Sequence, residues 1–546
     1  LRTPDLRQVE PLEHLGGPFE TAAHTVDVRQ MTRGRYNISN LGIYLWRLTA
    51  YPLSWVTPWR VDPSLVSSPP MSSPPIGSPP IGQPHRYTFN PIGLDEPLFT
   101  NPVTEADRFA LAAEINVPAP IRRRALAARP DLYYGQNGQS IEVRAWGLPA
   151  SPPDPGPRVL DIKTIVACDL SDWNRPVCHG QVAIDPVLGR LAFANDLQPT
   201  AVEVRYAYGF SAGLGGGPYE RQASFTQIAH EGLITVGGDD EQTATLKCAL
   251  EAWTGGSAVI LIQDSRTYDD PLPQVAIPAG VRLEIRAANG QRPTVLLQGP
   301  LEITGGGELS RFEMNGLLVA GQRLHVTGHL AELRLRHCTL APRAPLVPLM
   351  HAPQPALVVE SDQTSVVLES TITGTIRMVP QASFAATDSI LDAADRNAVV
   401  FAGLVGADPG GAFGVTRCTV LGVVRAREVT LAENSIFLAQ ARVDRRQTGC
   451  VRFCWVHPES RLPRRFHCQP ATRCGPVPRF TSLCYGDPGY CQLTADNPDT
   501  VRRLADDEGE PGAFASLHQP QREDYLRLRL EESLRAGLEI GIFFVT

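Results

Sequence analysis

Lysine is almost missing from this chain. Only Lys163 and Lys247 occur among its 50 basic residues, so 48 are arginine. A biased genomic composition explains this in one reading. In the other, rigid guanidinium forks pair with carboxylates at subunit contacts. Long apolar runs are missing too. The most apolar stretches, Ala258–Ile262 and Ala398–Val405, have strand length and fall short of the roughly 20 residues a membrane helix needs. The opening residues do not read as a secretory leader, and the expectation is a soluble protein. The net charge of −7 is mild for 546 residues, with no global pull toward nucleic acid or membrane.

Catalytic signatures are also lacking. There is no Gly-x-Ser-x-Gly elbow and no His-Glu-x-x-His pair. The glycine run Ser211–Pro218 ends in proline. A phosphate cradle would need Gly-Lys-Ser/Thr there, so the run reads as a hinge. Aspartate is sparse between 281 and 440, with only Asp362, Asp388, Asp392, Asp395 and Asp408. Asp388, Asp392 and Asp395 form the one cluster, read either as a solvated loop or as a calcium or catalytic site. His325, His329, His337 and His351 stand in no metal spacing with carboxylates. The chain is read as a structural protein, not an enzyme, with no cofactor and no catalytic residues.

Turn chemistry is what the chain has in excess. Gly and Pro number 47 and 49, about 18% together against a usual ~12%. Hydrophobic residues at 43% still support folded cores. Residues 1–62 and 86–215 read as an N-terminal β-rich assembly domain, with strands in Tyr36–Leu48, Ser140–Trp146 and Thr200–Tyr208. Val182–Asp185 and Arg190–Phe193 flank a turn at Pro186–Gly189, as in a small sandwich or barrel. Residues 63–85 are a Pro/Ser-rich exposed loop. Thr104–Arg129 reads as helix interrupted by Pro118 and Pro120, with a short second helix at 121–130. Arg122, Arg123 and Arg124 would fan out around it as a solvated face.

Residues 222–440 carry a repeat. Leu333–Leu340, Val366–Gly374, Phe384–Leu391, Phe413–Gly422 and Val429–Leu438 share alternate apolar places, then two small or polar residues, then a second β-run. Aligned on Cys338, Ser370, Ser389, Cys418 and Ser435, they are 32, 19, 29 and 17 residues apart. Short spacings suit one coil and long ones a coil with an insertion. This pattern predicts a right-handed parallel β-helix, a pectate-lyase-like solenoid, with small side chains stacked at its bends. Helical spacing at Thr243, Leu246, Leu250 and Trp253 predicts a cap over the first coil.

A Cys/Arg-rich segment follows at 441–518. Cys450, Cys454, Cys468, Cys474, Cys484 and Cys491 are spaced x3, x13, x5, x9 and x6. Disulfides, free buried thiols, and zinc completed by His457 or His467 all stay open. Residues 442–473 hold eight arginines opposed only by Asp444 and Glu459, with Phe453, Trp455 and Phe466 interleaved. That pattern suits a charged subunit contact ahead of nucleic acid. At 519–546, leucines 526, 530, 534 and 538 mark an amphipathic helix over Gln521–Leu538, before a strand at Ile540–Val545.

Several stretches carry a family resemblance together. They are RYNISNLGIYLWR at 35–47, YTFNPIGLDEPLF at 87–99, YGFSAGLGGGPY at 208–219, TSLCYGDPGY at 481–490, PQRED at 520–524 and GLEIGIF at 537–543. They resemble an uncharacterised bacterial family of β-helix proteins encoded with phage-tail-like contractile injection systems. The resemblance implies a baseplate-associated, cage or fibre-like component that forms in the cytoplasm and becomes part of a particle, released or surface-associated. It implies partners among other particle subunits and copies of this chain, and no catalytic residues. The alternative is a tailspike-like protein that binds or degrades a glycan.

Overall fold

The computed structural model describes residues 9–22, 40–61, 85–105, 107, 109–136, 138–149, 156–173, 175–225, 232–238, 243–341 and 354–545. The proline-rich loop expected at 63–85 falls outside them except for its last residue.

The chain is mainly β, and its largest part is a solenoid of parallel strands. One coil consists of Arg282–Ala287, Thr294–Leu297 and Leu301–Gly306. The next lays Arg311–Asn315, Leu318–Gly321 and Leu324–His329 on them, each pair parallel and in register. Repetition produces three ladders, here termed faces 1, 2 and 3 in the order the chain visits them. Face 1 runs from Leu233–Val236 to Arg465–Phe466, and face 2 has, among the described residues, nine strands from Thr267–Tyr268 to Trp455–Val456. Face 3 runs from Val275–Ile277 to Ala441–Arg445. The coils therefore continue past residue 440 into the Cys/Arg-rich segment.

Period-two alternation turns one row of each strand inward. On face 1 the register joins Leu283, Phe312, Leu333, Val366, Phe384, Phe413 and Val429 in one buried file. Each such side chain contributes about 1.5–3 kcal/mol on burial. The expected cap is the helix Leu246–Ala252. Thr245 Oγ1 accepts from Cys248 N at 3.3 Å, and Leu246, Ala249 and Leu250 are buried against the first coil.

The N-terminal region is two sheets around one core. Thr49–Val56, Ala201–Phe210, Ile141–Trp146 and Arg158–Val159 make the first. Trp59–Arg60, Arg86–Thr88, Arg190–Phe193, Val182–Asp185 and Ile165–Ala167 make the second. Leu53, Phe89, Val143, Ile184, Phe193 and Tyr206 fill the space between. The long helix expected from Thr104 is absent among the described residues: Phe109 and Leu111 are 86% and 95% exposed, and helix appears only as a turn at Glu114–Asn116 and as Arg123–Ala128 and Pro130–Tyr133. Without a surface to cover, the apolar spacing has nothing to stabilise it.

The glycine run at 211–218 is a seated strap, not a hinge. Gly215 N donates to Ser370 O at 2.8 Å, and Gly216 N donates to Thr339 Oγ1 at 2.9 Å. A Cβ on Gly216 would lie 2.7 Å from Leu317 O, so only glycine lets the two backbones meet. Gly512 and Ala513 make the matching contact further along face 2, donating to Asn434 O at 2.8 Å and Thr419 Oγ1 at 3.1 Å. Leu214, Ile372, Ile436, Trp455, Tyr490 and Phe514 share the small core under both straps.

A buried salt-bridge network of Arg47, Glu510, Arg502 and Glu523 ties the start of the chain to its end. The C-terminal helix is Gln519–Ser533, shorter than expected, with Leu526 and Leu530 half-buried. Beyond it, Glu539–Phe544 pairs in parallel with Asn40–Leu45 as a separate two-stranded sheet. No helix among the described residues is long and apolar enough to cross a membrane.

Candidate functional site

The corner between faces 1 and 2 holds three of the candidate residues, Asp388, Cys454 and Cys468. The last position on face 1 runs in register through Arg336, Glu369, Thr387, Thr416, Glu433, Arg452 and Phe466. One residue later the backbone is left-handed: His337, Ser370, Asp388, Arg417, Asn434, Phe453 and His467 all have φ between 47° and 53°. A single left-handed residue turns the chain sharply. The residue after it points inward, forming a column of Cys338, Thr371, Ser389, Cys418, Ser435, Cys454 and Cys468. Ser370 thus belongs to the left-handed row, and the inward column takes Thr371 where the sequence alignment placed Ser370. Each inward side chain satisfies the corner backbone, as when Ser435 Oγ donates to Glu433 O at 2.7 Å and accepts from Cys418 N at 3.0 Å.

This geometry separates the six candidate cysteines. Cys454 and Cys468 occupy the inward column of the last two coils. Cys450 pairs with Leu431 on face 1. Cys491 is buried under the face 2 strap, whereas Cys474 and Cys484 are exposed. All are free thiols. The three clustered aspartates part company as well. Asp388 holds Arg417 at 2.6 and 2.8 Å, buried Asp392 accepts from Tyr490 OH at 2.6 Å, and Asp395 accepts from Asn397 N at 2.9 Å in an exposed turn. Among the described residues no group of three or more His, Cys, Asp or Glu is placed to hold a metal.

The outer side of face 1 carries a lattice that sequence reading missed. Arg282, Glu284 and Arg286 on one strand stack against Arg311, Glu313 and Asn315, then Glu332, Arg334 and Arg336. A cleft of about 410 Å³ opens over it, bordered by Ala223, Ser224 and Phe225. Glu284 is fully buried beneath, and burial, then the charge of Glu313, pushes its carboxyl up to about 7. Arginines hold each carboxylate: Arg286 to Glu284 at 3.6 Å, Arg336 to Glu313 at 3.2 Å, Arg334 to Glu332 at 2.7 Å, with Arg282 bridging Glu284 and Glu313. Phe225 lies on Arg286 at 4.6 Å, and Ser224 O accepts from Arg336 at 2.9 Å. The lattice binds the 222–225 segment to the rod. The alternation in RLEIRA and ELRLR was the available signal, but pairing across coils of unequal length hid the partners.

The terminal coils differ. All eight arginines of residues 442–473 are exposed. Among the described residues only Arg445 and Arg452 of the eight are ion-paired, to Glu428 at 3.5 Å and Glu433 at 2.6 Å. Arg425, Arg442 and Arg461 stand in register on successive coils, a like-charge file that destabilises unless an anion neutralises it. At the far end of face 1, where Arg452 and Arg465 directly precede Phe453 and Phe466 in the chain, the rings of Phe453 and His467 stack at 5.5 Å and Phe466 is 50% exposed. Cationic forks next to exposed rings make a surface suited to an acidic partner. Comparisons of this chain with protein-family models, curated proteins and solved structures give no match.

Proposed function

We propose that this chain is a structural subunit of a phage-tail-like contractile injection particle, baseplate-associated and cage or fibre-like, that acts by protein–protein assembly. A right-handed winding, the hand that parallel crossovers favour, belongs to the same reading. The observation that carries it is the arginine-rich end of the solenoid: a rigid terminus whose charge exceeds what neighbouring carboxylates in the same chain neutralise. Straps bury much of face 2 and a salt-bridge lattice occupies the outer side of face 1, leaving the terminal coils as a contact surface. Negative-stain imaging of material co-purifying with the full chain from its native cells tests this. Tail-like particles carrying the chain are expected; a chain isolated as a lone monomer in all fractions contradicts it.

One observation favours a second reading, a glycan binder. The face 1 cleft combines Glu313, Glu332 and Phe225, the carboxylates and aromatic ring such a site uses. Each carboxylate there is already held by arginine, so the structural reading ranks first. Binding of the full chain to acidic and neutral polysaccharides, lost on Phe225→Ala, would reverse that order.

A further inference from the structure

The last two coils hold a pair of thiols in register. Arg452 pairs with Phe466 and Trp455 with Gln469, so no residue is inserted between these points. Gln469 N donates to Cys454 O at 2.9 Å, and Phe453 N donates to Phe466 O at 3.0 Å. Cys454 and Cys468 therefore stand opposite each other on adjacent strands. Such strands lie ~4.8 Å apart, inside the Cα separation of about 4.4–6.8 Å that a disulfide spans.

Both side chains turn into the interior. Cys454 belongs to the solenoid core and Cys468 packs against it. Both make weak bonds to main-chain carbonyls: Cys454 Sγ to Arg452 O at 3.1 Å, Cys468 Sγ to Phe466 O at 3.4 Å and Val451 O at 3.5 Å. Elsewhere in the column no cysteine meets another: Cys338 adjoins Thr371, and Cys418 lies between Ser389 and Ser435. Cys450 sits on the row opposite inward Val451 and so faces away. The strand Arg465–Phe466 ends its ladder. With a neighbour on one side only, it can shift toward Cys454 without breaking a second ladder.

We infer that Cys454 and Cys468 form an oxidisable pair, which a disulfide oxidant such as glutathione disulfide closes into a staple across the final coil. Cys468, the more open of the two, loses its proton and attacks one sulfur of the oxidant. The oxidant's S–S bond breaks, one glutathione leaves as its thiol, and a mixed disulfide forms on Cys468. Cys454 then gives up its proton, displaces the second glutathione and forms the protein disulfide. Two protein thiols are oxidised, one small disulfide is reduced, and the two protons end on two glutathione thiols. The staple fastens the coil that carries Arg461, Arg464 and Arg465, so a chain reaching an oxidising space gains a rigid terminus there. Burial pushes both thiols up, which makes closure slow near neutrality.

The full chain is incubated with glutathione disulfide at about pH 8.5, where thiolates are more abundant. Free thiols are then alkylated and a non-reducing tryptic digest is read by mass spectrometry. The main cross-link expected joins Phe453–Arg461 to Phe466–Arg473, with a rise in melting temperature that dithiothreitol reverses. Cys468→Ser should abolish both the link and the rise, while its reduced form melts like the reduced parent. Alkylation of both cysteines after long incubation, or a main link to Cys450, Cys474, Cys484 or Cys491, overturns the inference.

Discussion

Phe413→Ala probes the interior of the solenoid. Phe413 on face 1 is fully buried and meets rings from every face: Phe384 of the same face stacked at 5.4 Å, Phe401 of face 3 at 4.8 Å and Phe437 of face 2 at 6.5 Å. Loss of the ring should cost about 3–5 kcal/mol, the transfer term plus the cavity. Part of that belongs to ring pairs, each worth roughly 0.5–1.5 kcal/mol. A cycle of Phe413→Ala, Phe401→Ala and the double variant isolates the face 1–face 3 pair. Guanidinium unfolding would be followed by tryptophan fluorescence, to which Trp455, 1% exposed in the same solenoid, contributes, and by circular dichroism, with coincident transitions required. Phe466→Ala at the open end should cost under about 1 kcal/mol. The reasoning fails if Phe413→Ala costs no more than that control, or if its coupling with Phe401 is zero. Either result means that the faces do not enclose one dense core.

Glu284→Gln tests the face 1 lattice. A carboxyl raised to about 7 holds its proton more tightly when folded, so its effect is harmless below the unfolded value near 4.5 and destabilising as pH rises through 7. Stability of the parent should fall by about 3 kcal/mol across that window from this group, since one unit is about 1.4 kcal/mol. Relative to the parent, the glutamine variant should gain stability as pH rises from 5 to 8; an unchanged difference refutes the shift. Gly216→Ala should lift the strap from Leu317 and speed hydrogen exchange at the amides of residues 215 and 216, with the cap helix unaffected; exchange at the parental rate contradicts the close contact.

Legibility in the sequence followed the range of the interactions. The coil repeat was readable because each corner is local: an inward apolar row, one turning residue and one small inward residue. The single slip at Ser370 came from two small polar residues in succession, Ser370 and Thr371, either of which fills the motif on paper. The final coils are harder to read because their face 1 strands, Cys450–Arg452 and Arg465–Phe466, are too short to show the alternation; Cys454 and Cys468 fill the corner places that Cys338 and Cys418 fill earlier. Helical spacing from Thr104 misled because Phe109 and Leu111 have no surface to cover. The Arg–Glu lattice was invisible because partners such as Arg336 and Glu313 meet only through the register of whole coils. The arginine excess at 442–473 is plain from composition, but its exposure, and the pairing of only Arg445 and Arg452 with carboxylates among the described residues, require the fold.

Charge reversal at Arg442, Arg461 and Arg464 tests most directly whether the terminal coils are a contact surface. These side chains are exposed; reversal at 442 relieves the like-charge contact with Arg425 while the 442–461 contact stays like-charged, so the melting temperature should change little. The fraction of full-length chain sedimenting with tail-like particles is the quantity to measure. It should fall at least tenfold in the triple variant, and more steeply for the parent as salt is raised. A triple variant that folds and enters particles at the parental level contradicts the assignment of the arginine-rich end to assembly.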